Sequence, residues 1–77
     1  MIVNVKFFAG LRDLLPAEPT PYPAEMPLEA TVGELLDHFQ VPSEKPKIIL
    51  VNGIHADRDH TLKEGDTLAV FPPVAGG

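Results

Sequence analysis

The chain has 77 residues, a formal net charge of −5 at pH 7 and no cysteine. This length suits one small domain, and the lack of cysteine excludes a disulfide framework, a thiolate zinc site, a cysteine nucleophile and an iron–sulfur cluster. The negative net charge argues against a nucleic-acid partner. The sequence contains neither a membrane-spanning apolar run nor a signal-peptide pattern. We expect a cytoplasmic protein, because a cysteine-free chain is compatible with a reducing compartment.

The first predicted elements are a strand and a short helical turn. Residues from Ile2 to Phe8 alternate, and this period of two predicts a strand with its odd-numbered residues in the core, namely Val3, Val5 and Phe7. Leucines at helical spacing then predict a short helical turn from Ala9 to Leu15, which Pro16 ends.

The next segment is rich in proline. Four of the nine prolines fall between Ala17 and Pro27, which argues against a helix or a central strand. Proline is tolerated at a sheet edge, where the missing N–H faces solvent. We therefore predict an irregular edge strand from Tyr22 to Leu28.

One clear amphipathic helix follows. Thr31 and Glu34 form a capping box, in which each side chain bonds the other residue's backbone N–H. Apolar residues recur at helical spacing, and the pattern ends near Gln40. The apolar stripe, which should cover one face of a sheet, comprises Val32, Leu35, Leu36 and Phe39.

Three strands are predicted after the helix. The β-branched run from Lys47 to Val51 indicates a strand covered on both sides. Asn52-Gly53 indicates a hairpin turn, because both central positions of a type I′ turn need φ > 0. A returning strand from Ile54 to Ala56 follows. After a polar turn and a core anchor at Leu62, the last strand runs from Thr67 to Phe71.

The order of these elements predicts an α+β domain with a mixed sheet packed on one main helix. Residues 1–71 would form this domain, and residues 72–77 would form a flexible C-terminal tail.

The tail itself is predicted to carry the function. Pro72 and Pro73 favour an extended spacer, and Gly76 and Gly77 add nothing to a core. A frayed end is the simpler alternative, but a frayed end has no need of two prolines leading out of a strand. The Gly77 carboxylate is ionised at neutral pH, and a tip without side chains can thread a narrow channel.

Other sites find little support in the sequence. His55, Asp57, Asp59 and His60 match no zinc or calcium motif, so we interpret them as a solvated turn. No glycine-rich phosphate loop is present. We predict no metal site and no bound cofactor. A carboxylate is a poor acyl donor until it is activated, and the usual biological activation is adenylation by ATP. Adenylation of Gly77 would therefore need a partner's ATP site, so the chain is interpreted as a carried substrate and not as an enzyme.

The tail, Phe71-Pro72-Pro73-Val74-Ala75-Gly76-Gly77, resembles those of the ubiquitin-like sulfur carriers that serve as small subunits of molybdopterin synthase. Weaker similarities occur in the family's order along nearly the whole chain, at Phe7 to Asp13, Val51 to Gly53 and Leu62 to Asp66. The resemblance implies a β-grasp (ubiquitin-like) fold, in which the first and last strands lie side by side and parallel.

The resemblance also implies a mechanism and its partners. An E1-like adenylating enzyme would join AMP to the Gly77 carboxylate, and a sulfur donor protein would displace AMP to leave a thiocarboxylate. The tail would then enter the large subunit of molybdopterin synthase and donate sulfur to the pterin precursor of the molybdenum or tungsten cofactor. Gly77, with Gly76 before it, would be the reacting tip, and contacts to partners are expected along the rest of the tail, from Pro72, Pro73, Val74 and Ala75.

Three alternatives remain open. A sulfur carrier of the thiamine pathway shares the fold and the Gly-Gly end, although its tail usually lacks the Phe-Pro-Pro element. A ubiquitin-like modifier would instead form an isopeptide with a lysine of another protein. A regulatory β-grasp module would carry an inert tail.

Strand parity predicts a docking face. Phe8 points away from the core if Val5 and Phe7 point into it, and Phe71 does so if Val70 faces the core. On neighbouring parallel strands, Phe8 and Phe71 would share the outer face, and exposed apolar patches often mark partner sites. The alternative is that both are scattered surface aromatics or lie under a loop.

Overall fold

The computed structural model describes residues 1–42 and 48–72. Over these residues the chain forms five strands, one α-helix and one 3-10 helix. In chain order they are β1 (Ile2–Phe7), the 3-10 helix (Ala9–Leu14), β2 (Tyr22–Glu25), α1 (Val32–His38), β3 (Ile48–Val51), β4 (Ile54–His55) and β5 (Thr67–Phe71). The predicted order of elements is confirmed.

The strands form one mixed sheet in the order β2-β1-β5-β3-β4. The first and last strands are adjacent and parallel, with Val5 opposite Leu68 and Phe7 opposite Val70. The other neighbouring pairs are antiparallel. The proline-rich strand β2 lies at an edge of the sheet, as predicted, and β5 lies between β1 and β3.

The core lies between the helix and one face of the sheet. Alternate residues of β1 and β5 meet the helix stripe there, and the largest fully buried side chains are Leu35, Leu36, Leu62, Leu68, Val3, Val5, Val32 and Val70. Phe39, at the C-cap of α1, is only half-buried and meets the rings of Phe7 and Tyr22 edge-on at 5.9 and 6.1 Å. The predicted core residues of β1 and β5 are confirmed, as are Val32, Leu35 and Leu36 of the helix, whereas Phe39 packs against the core without being fully buried.

The start of the helix is held by its own cap and by a neighbouring loop. The Thr31 hydroxyl accepts a hydrogen bond from the Glu34 N–H at 3.2 Å, and a Glu34 carboxylate oxygen accepts one from the Thr31 N–H at 2.8 Å. The next two N–H groups, of Val32 and Gly33, donate to carbonyls of the loop between β4 and β5, each at 2.9 Å. This loop is tied down further by an Arg58–Asp37 ion pair at 2.9 Å.

Several boundaries differ from the predicted ones. The strand β2 ends at Glu25, since Pro27 cannot extend a ladder, and α1 ends at His38 with Phe39 as its C-cap. The strand β4 consists of Ile54 and His55 alone.

The prediction that β3 is covered on both sides is wrong. Ile49 and Val51 are buried, but Ile48 is 44% exposed and Leu50 is half-buried. The helix covers one face only, so a continuous apolar run cannot be buried on both. No helix among residues 1–42 and 48–72 is long and apolar enough to span a membrane.

Candidate functional site

The two outward aromatic residues meet at the carboxyl ends of the central parallel strands. Phe8 remains extended (φ −117°, ψ 157°) after β1, and its N–H donates to the Val70 carbonyl at 3.1 Å. This bond carries the parallel pairing one residue past the end of β1 and sets Phe8 beside Phe71. Their rings stack with centroids 4.2 Å apart and planes 4° from parallel. The predicted juxtaposition of Phe8 and Phe71 on the outer face is confirmed.

The structure adds a third strand to this surface. In the antiparallel register of β3 and β5, Ile48 lies opposite Phe71, and Leu50 lies opposite Ala69. All of these side chains point away from the buried partners Ile49, Val51 and Val70. We call this surface the outer apolar patch; it comprises Phe8, Phe71, Ile48, Leu50 and Ala69.

Sequence reasoning missed the contribution of β3 to the outer apolar patch. Part of the signal was in the sequence. The Asn52-Gly53 turn fixes the register of the hairpin, and alternation along β3 from that turn places Ile48 and Ile49 on opposite faces of the sheet. Which strand lies beside Phe71 is a matter of tertiary pairing, however, and a single strand's pattern does not contain it.

The tail begins at the rim of this patch. Phe71 ends β5, and Pro72, half-buried, is the next residue. The remaining predicted site residues, Pro73, Val74, Ala75, Gly76 and Gly77, lie outside the described residues. Because β5 is hydrogen-bonded on both sides, the point at which the tail leaves the sheet is set by the sheet itself.

The polar loop after β4 has the geometry of a solvated turn. His55, Asp57, Asp59 and His60 are all exposed, and the Asp57 carboxylate accepts a hydrogen bond from the Asp59 N–H at 3.0 Å. Within the described ranges, no three or more His, Cys, Asp or Glu side chains are grouped so that they could hold a metal ion.

The sequence is similar to proteins of known family over nearly its whole length. The sequence model of the ThiS family matches residues 5–77. The chain is 42% identical over 83 residues to the molybdopterin synthase sulfur carrier subunit of Drosophila melanogaster, covering 97% of this chain and 90% of that protein. It is 34% identical over 84 residues to the subunit of the same name from Escherichia coli (strain K12), covering 99% and 100% of the two chains.

Solved structures share the fold. A Pyrococcus furiosus protein assigned as molybdopterin converting factor subunit 1 has a TM-score of 0.73 at 32% identity, over 95% of this chain and 98% of that one. The small archaeal modifier protein 1 of Haloferax volcanii has a TM-score of 0.75 at 26% identity, over 95% and 98%. A chain in the complex of subunits 1 and 2 of the molybdopterin-converting factor of Helicobacter pylori has a TM-score of 0.64 at 25% identity, over the full length of both.

Proposed function

The chain belongs to the ThiS family, and from that premise we propose that it is the sulfur-carrier subunit of a molybdopterin synthase. The named relatives, which it matches almost end to end, are sulfur carrier subunits of that enzyme and support the pterin route over the thiamine route. In this role the chain contributes the reacting terminus, and the large subunit, the adenylating enzyme and the sulfur donor contribute the catalytic groups.

The observation that carries the proposal is the position of β5. This strand is paired on both sides, so Phe71 and Pro72 leave the sheet at a fixed point beside the stacked aromatic pair. A carrier needs such an arrangement, because a docked domain can present its terminus at a constant distance from a partner's active site. Misplacement on the order of 1 Å can already cost about a hundredfold in rate.

The proposed chemistry takes place at the Gly77 carboxylate. One carboxylate oxygen attacks the α-phosphorus of ATP in the adenylating enzyme, and pyrophosphate leaves. A donor protein then supplies sulfur at the oxidation level of sulfide; a carbon–sulfur bond forms at the acyl carbon, and AMP leaves with its oxygen. The resulting thiocarboxylate sulfur is a nucleophile at neutral pH and forms a carbon–sulfur bond with the pterin precursor in the large subunit. Water then cleaves the acyl carbon–sulfur bond, which leaves the sulfur on the precursor and restores the Gly77 carboxylate.

We further propose that the outer apolar patch docks on the large subunit. The Helicobacter pylori neighbour is seen in complex with subunit 2 of its converting factor, which supports a partner of that kind for this chain. Phe8, Phe71 and Ile48 form a continuous apolar surface beside the start of the tail. Burying that surface removes apolar area from water and at the same time would direct residues 72–77 toward the active site of the large subunit.

The carrier role is tested by variants that change the last two residues, Gly76 and Gly77, or extend the chain beyond them. Deleting Gly77 moves the carboxylate back by at most about 3.6 Å. Appending one residue converts the Gly77 carboxylate into an unactivated amide. Gly76→Val adds a bulky β-branched side chain to the part of the tail that must enter a narrow channel. All three variants should fold normally and fail in sulfur transfer, and the extension should also abolish adenylation of Gly77.

The measurements are ATP–pyrophosphate exchange and intact mass after incubation with an adenylating enzyme and a sulfur source, with a thermal melt as the folding control. Wild type should exchange one oxygen for one sulfur. Full pterin-sulfurating activity of the folded deletion or extension variant would refute the carrier role.

The test of docking compares two exposed apolar positions. Phe71→Ala should weaken association with the large subunit about tenfold or more, as expected for a central aromatic anchor, while stability falls by only about 1 kcal/mol through the lost stacking. Ile54→Ala, which truncates a 72% exposed side chain on β4, should change neither. Binding is measured by titration calorimetry and stability by denaturant unfolding; strong destabilisation with unchanged affinity would place Phe71 in the core instead.

Protein modification is a second candidate function, favoured by the similarity to small archaeal modifier protein 1. In that case the adenylated Gly77 would be attacked by a lysine amine, and an isopeptide would form. Intact mass separates the two outcomes, because a modifier produces higher-mass lysine adducts in a mixture of proteins and a carrier produces the sulfur-for-oxygen exchange.

A further inference from the structure

The edge of the sheet beside β1 is incomplete at Phe7. The Met1 ammonium donates to the Met26 carbonyl and the Met26 N–H to the Met1 carbonyl, each at 2.8 Å. Bonded and non-bonded pairs alternate in an antiparallel ladder, so odd-numbered residues of β1 turn their backbone groups toward β2. The register ends at Val5 opposite Tyr22. Phe7 therefore directs its N–H and C=O toward β2 at a point where β2 has not yet begun.

The chain before β2 does not fill this gap. In the register of β1 and β2, Thr20 would oppose Phe7, but its hydroxyl donates to the Ala17 carbonyl at 3.1 Å within a local bend. Within residues 1–42 and 48–72, no hydrogen bond reaches the Phe7 N–H or C=O. An open strand edge of this kind is a template for an added strand.

A groove lies along this open edge. Its volume is about 840 Å³, and its apolar wall includes Phe8, Leu15, Pro16 and Tyr22. We call it the edge groove. It adjoins the outer apolar patch through Phe8 but opens at the side of the sheet, and nothing in the proposed carrier chemistry uses it.

The charge of the edge groove is opposite to that of the molecule. Lys6 and Arg12 line it with Asp13 as the one acidic residue, whereas the whole chain carries a net charge of −5. Both Lys6 and Arg12 are exposed, and neither forms an ion pair with any described residue. Two unpaired cations beside an open strand edge favour an extended ligand with carboxylate side chains.

We propose that the edge groove binds an extended acidic peptide segment of a partner protein by strand addition to β1. One residue of the peptide exchanges two backbone hydrogen bonds with Phe7. Its carboxylate side chains face Lys6 and Arg12, and alternate aliphatic side chains pack on Leu15 and Tyr22. This site is distinct from the tail and is independent of the carrier role.

The first test needs no ligand. In the free, full-length chain the Phe7 amide should exchange its proton with solvent faster than the Lys6 and Phe8 amides, whose backbone groups face β5. Amide exchange followed by NMR on the ¹⁵N-labelled protein measures this directly. A Phe7 amide as strongly protected as its neighbours would show that the edge is already paired and would overturn the proposal.

The second test uses a defined probe. An acetylated and amidated hexapeptide of alternating glutamate and valine should shift the amide signals of Phe7 and Tyr22 and slow exchange at Phe7. The matched lysine–valine hexapeptide should do neither. Equal effects of both peptides, or shifts centred on Phe71 and Ile48, would overturn the proposal.

Charge-reversal variants complete the test. Lys6→Glu and Arg12→Glu should each raise the Kd of the acidic peptide about fivefold, the size expected from loss of an exposed ion pair. Lys63→Glu is the matched control, because Lys63 is exposed and lies near the other end of β1, and it should leave the Kd unchanged. An equal effect of the Lys63 variant would reduce the binding to general electrostatics. Tighter binding of a peptide with the sequence of residues 71–77 would make a second copy's tail the occupant and reject an acidic partner segment.

Discussion

Single residues divide this small domain into those that hold the fold and those left for partners. Leu36 is 0% exposed and sits between the helix and the sheet, whereas Leu28, in the turn before α1, is 79% exposed. Phe8 and Phe71 fall between these extremes: they stack on each other and leave part of each ring on the surface. The same residue type therefore has different roles according to the face on which the backbone places it.

Truncation of two leucines tests this division. Leu36→Ala should lower the free energy of unfolding by about 2–5 kcal/mol, because it removes buried methyl groups and leaves a cavity. Leu28→Ala should change it by less than about 0.5 kcal/mol, since most of that side chain already contacts water. Urea unfolding followed by circular dichroism gives both values. Similar losses for the two variants would mean that the helix does not pack as described.

At the scale of elements, the β3–β4 hairpin is specified by the residues of its turn. Asn52 and Gly53 have φ values of 53° and 82°, as a type I′ turn requires. The Asn52 side chain also accepts from the Thr67 N–H and donates to the Asp66 carboxylate, both at 2.9 Å. The turn thus joins the hairpin to the start of β5 and helps to set the register from which the outer apolar patch is built.

Two glycine-to-alanine changes test the turn. Gly53→Ala should cost about 1–2 kcal/mol, because an L-residue with a Cβ is disfavoured at positive φ even though the added atom meets nothing within 4 Å. Gly10→Ala, where an added Cβ also has open space and the backbone is not at positive φ, is the matched control and should be nearly neutral. Thermal melts of both variants measure the difference, and a neutral Gly53 variant would rule out a conformational requirement at this position.

At the scale of the whole molecule, the fold closes by joining its two ends. The first and last strands pair in parallel within the sheet, so the β1–β5 ladder forms only when both ends of the chain are in place. The edge strand β2 is tied into the same core, because Tyr22 meets Phe39 edge-on at the end of α1. This connectivity predicts that no part of the domain unfolds by itself.

The single tyrosine provides a probe of that cooperativity. Tyr22 fluorescence reports on the edge strand, and circular dichroism at 222 nm reports mainly on α1, so the two melting curves should coincide at one Tm. Because the chain contains no tryptophan, the fluorescence signal has one source. An earlier Tyr22 transition would identify the proline-rich edge as a separately unfolding unit.

Some features of this protein follow from local sequence alone. Alternation places Val3, Val5 and Phe7 on one face of β1, and the capping box starts α1 at Thr31; these depend on neighbours within a few residues, and the structure agrees with them. The parity that turns Phe8 and Phe71 outward is local in the same sense. Which strands lie side by side required the family resemblance, because a parallel pair joins segments more than sixty positions apart.

Other features were decided by tertiary pairing. Ile48 and Leu50 belong to an apolar run whose burial depends on how many faces of the sheet are covered, and only one face is. The open edge at Phe7 arises because β2 begins one bonded pair short of the end of β1, which is a property of their register and not of either strand. Local pattern determines which way a side chain points from its strand; only the assembled sheet determines what, if anything, lies there to meet it.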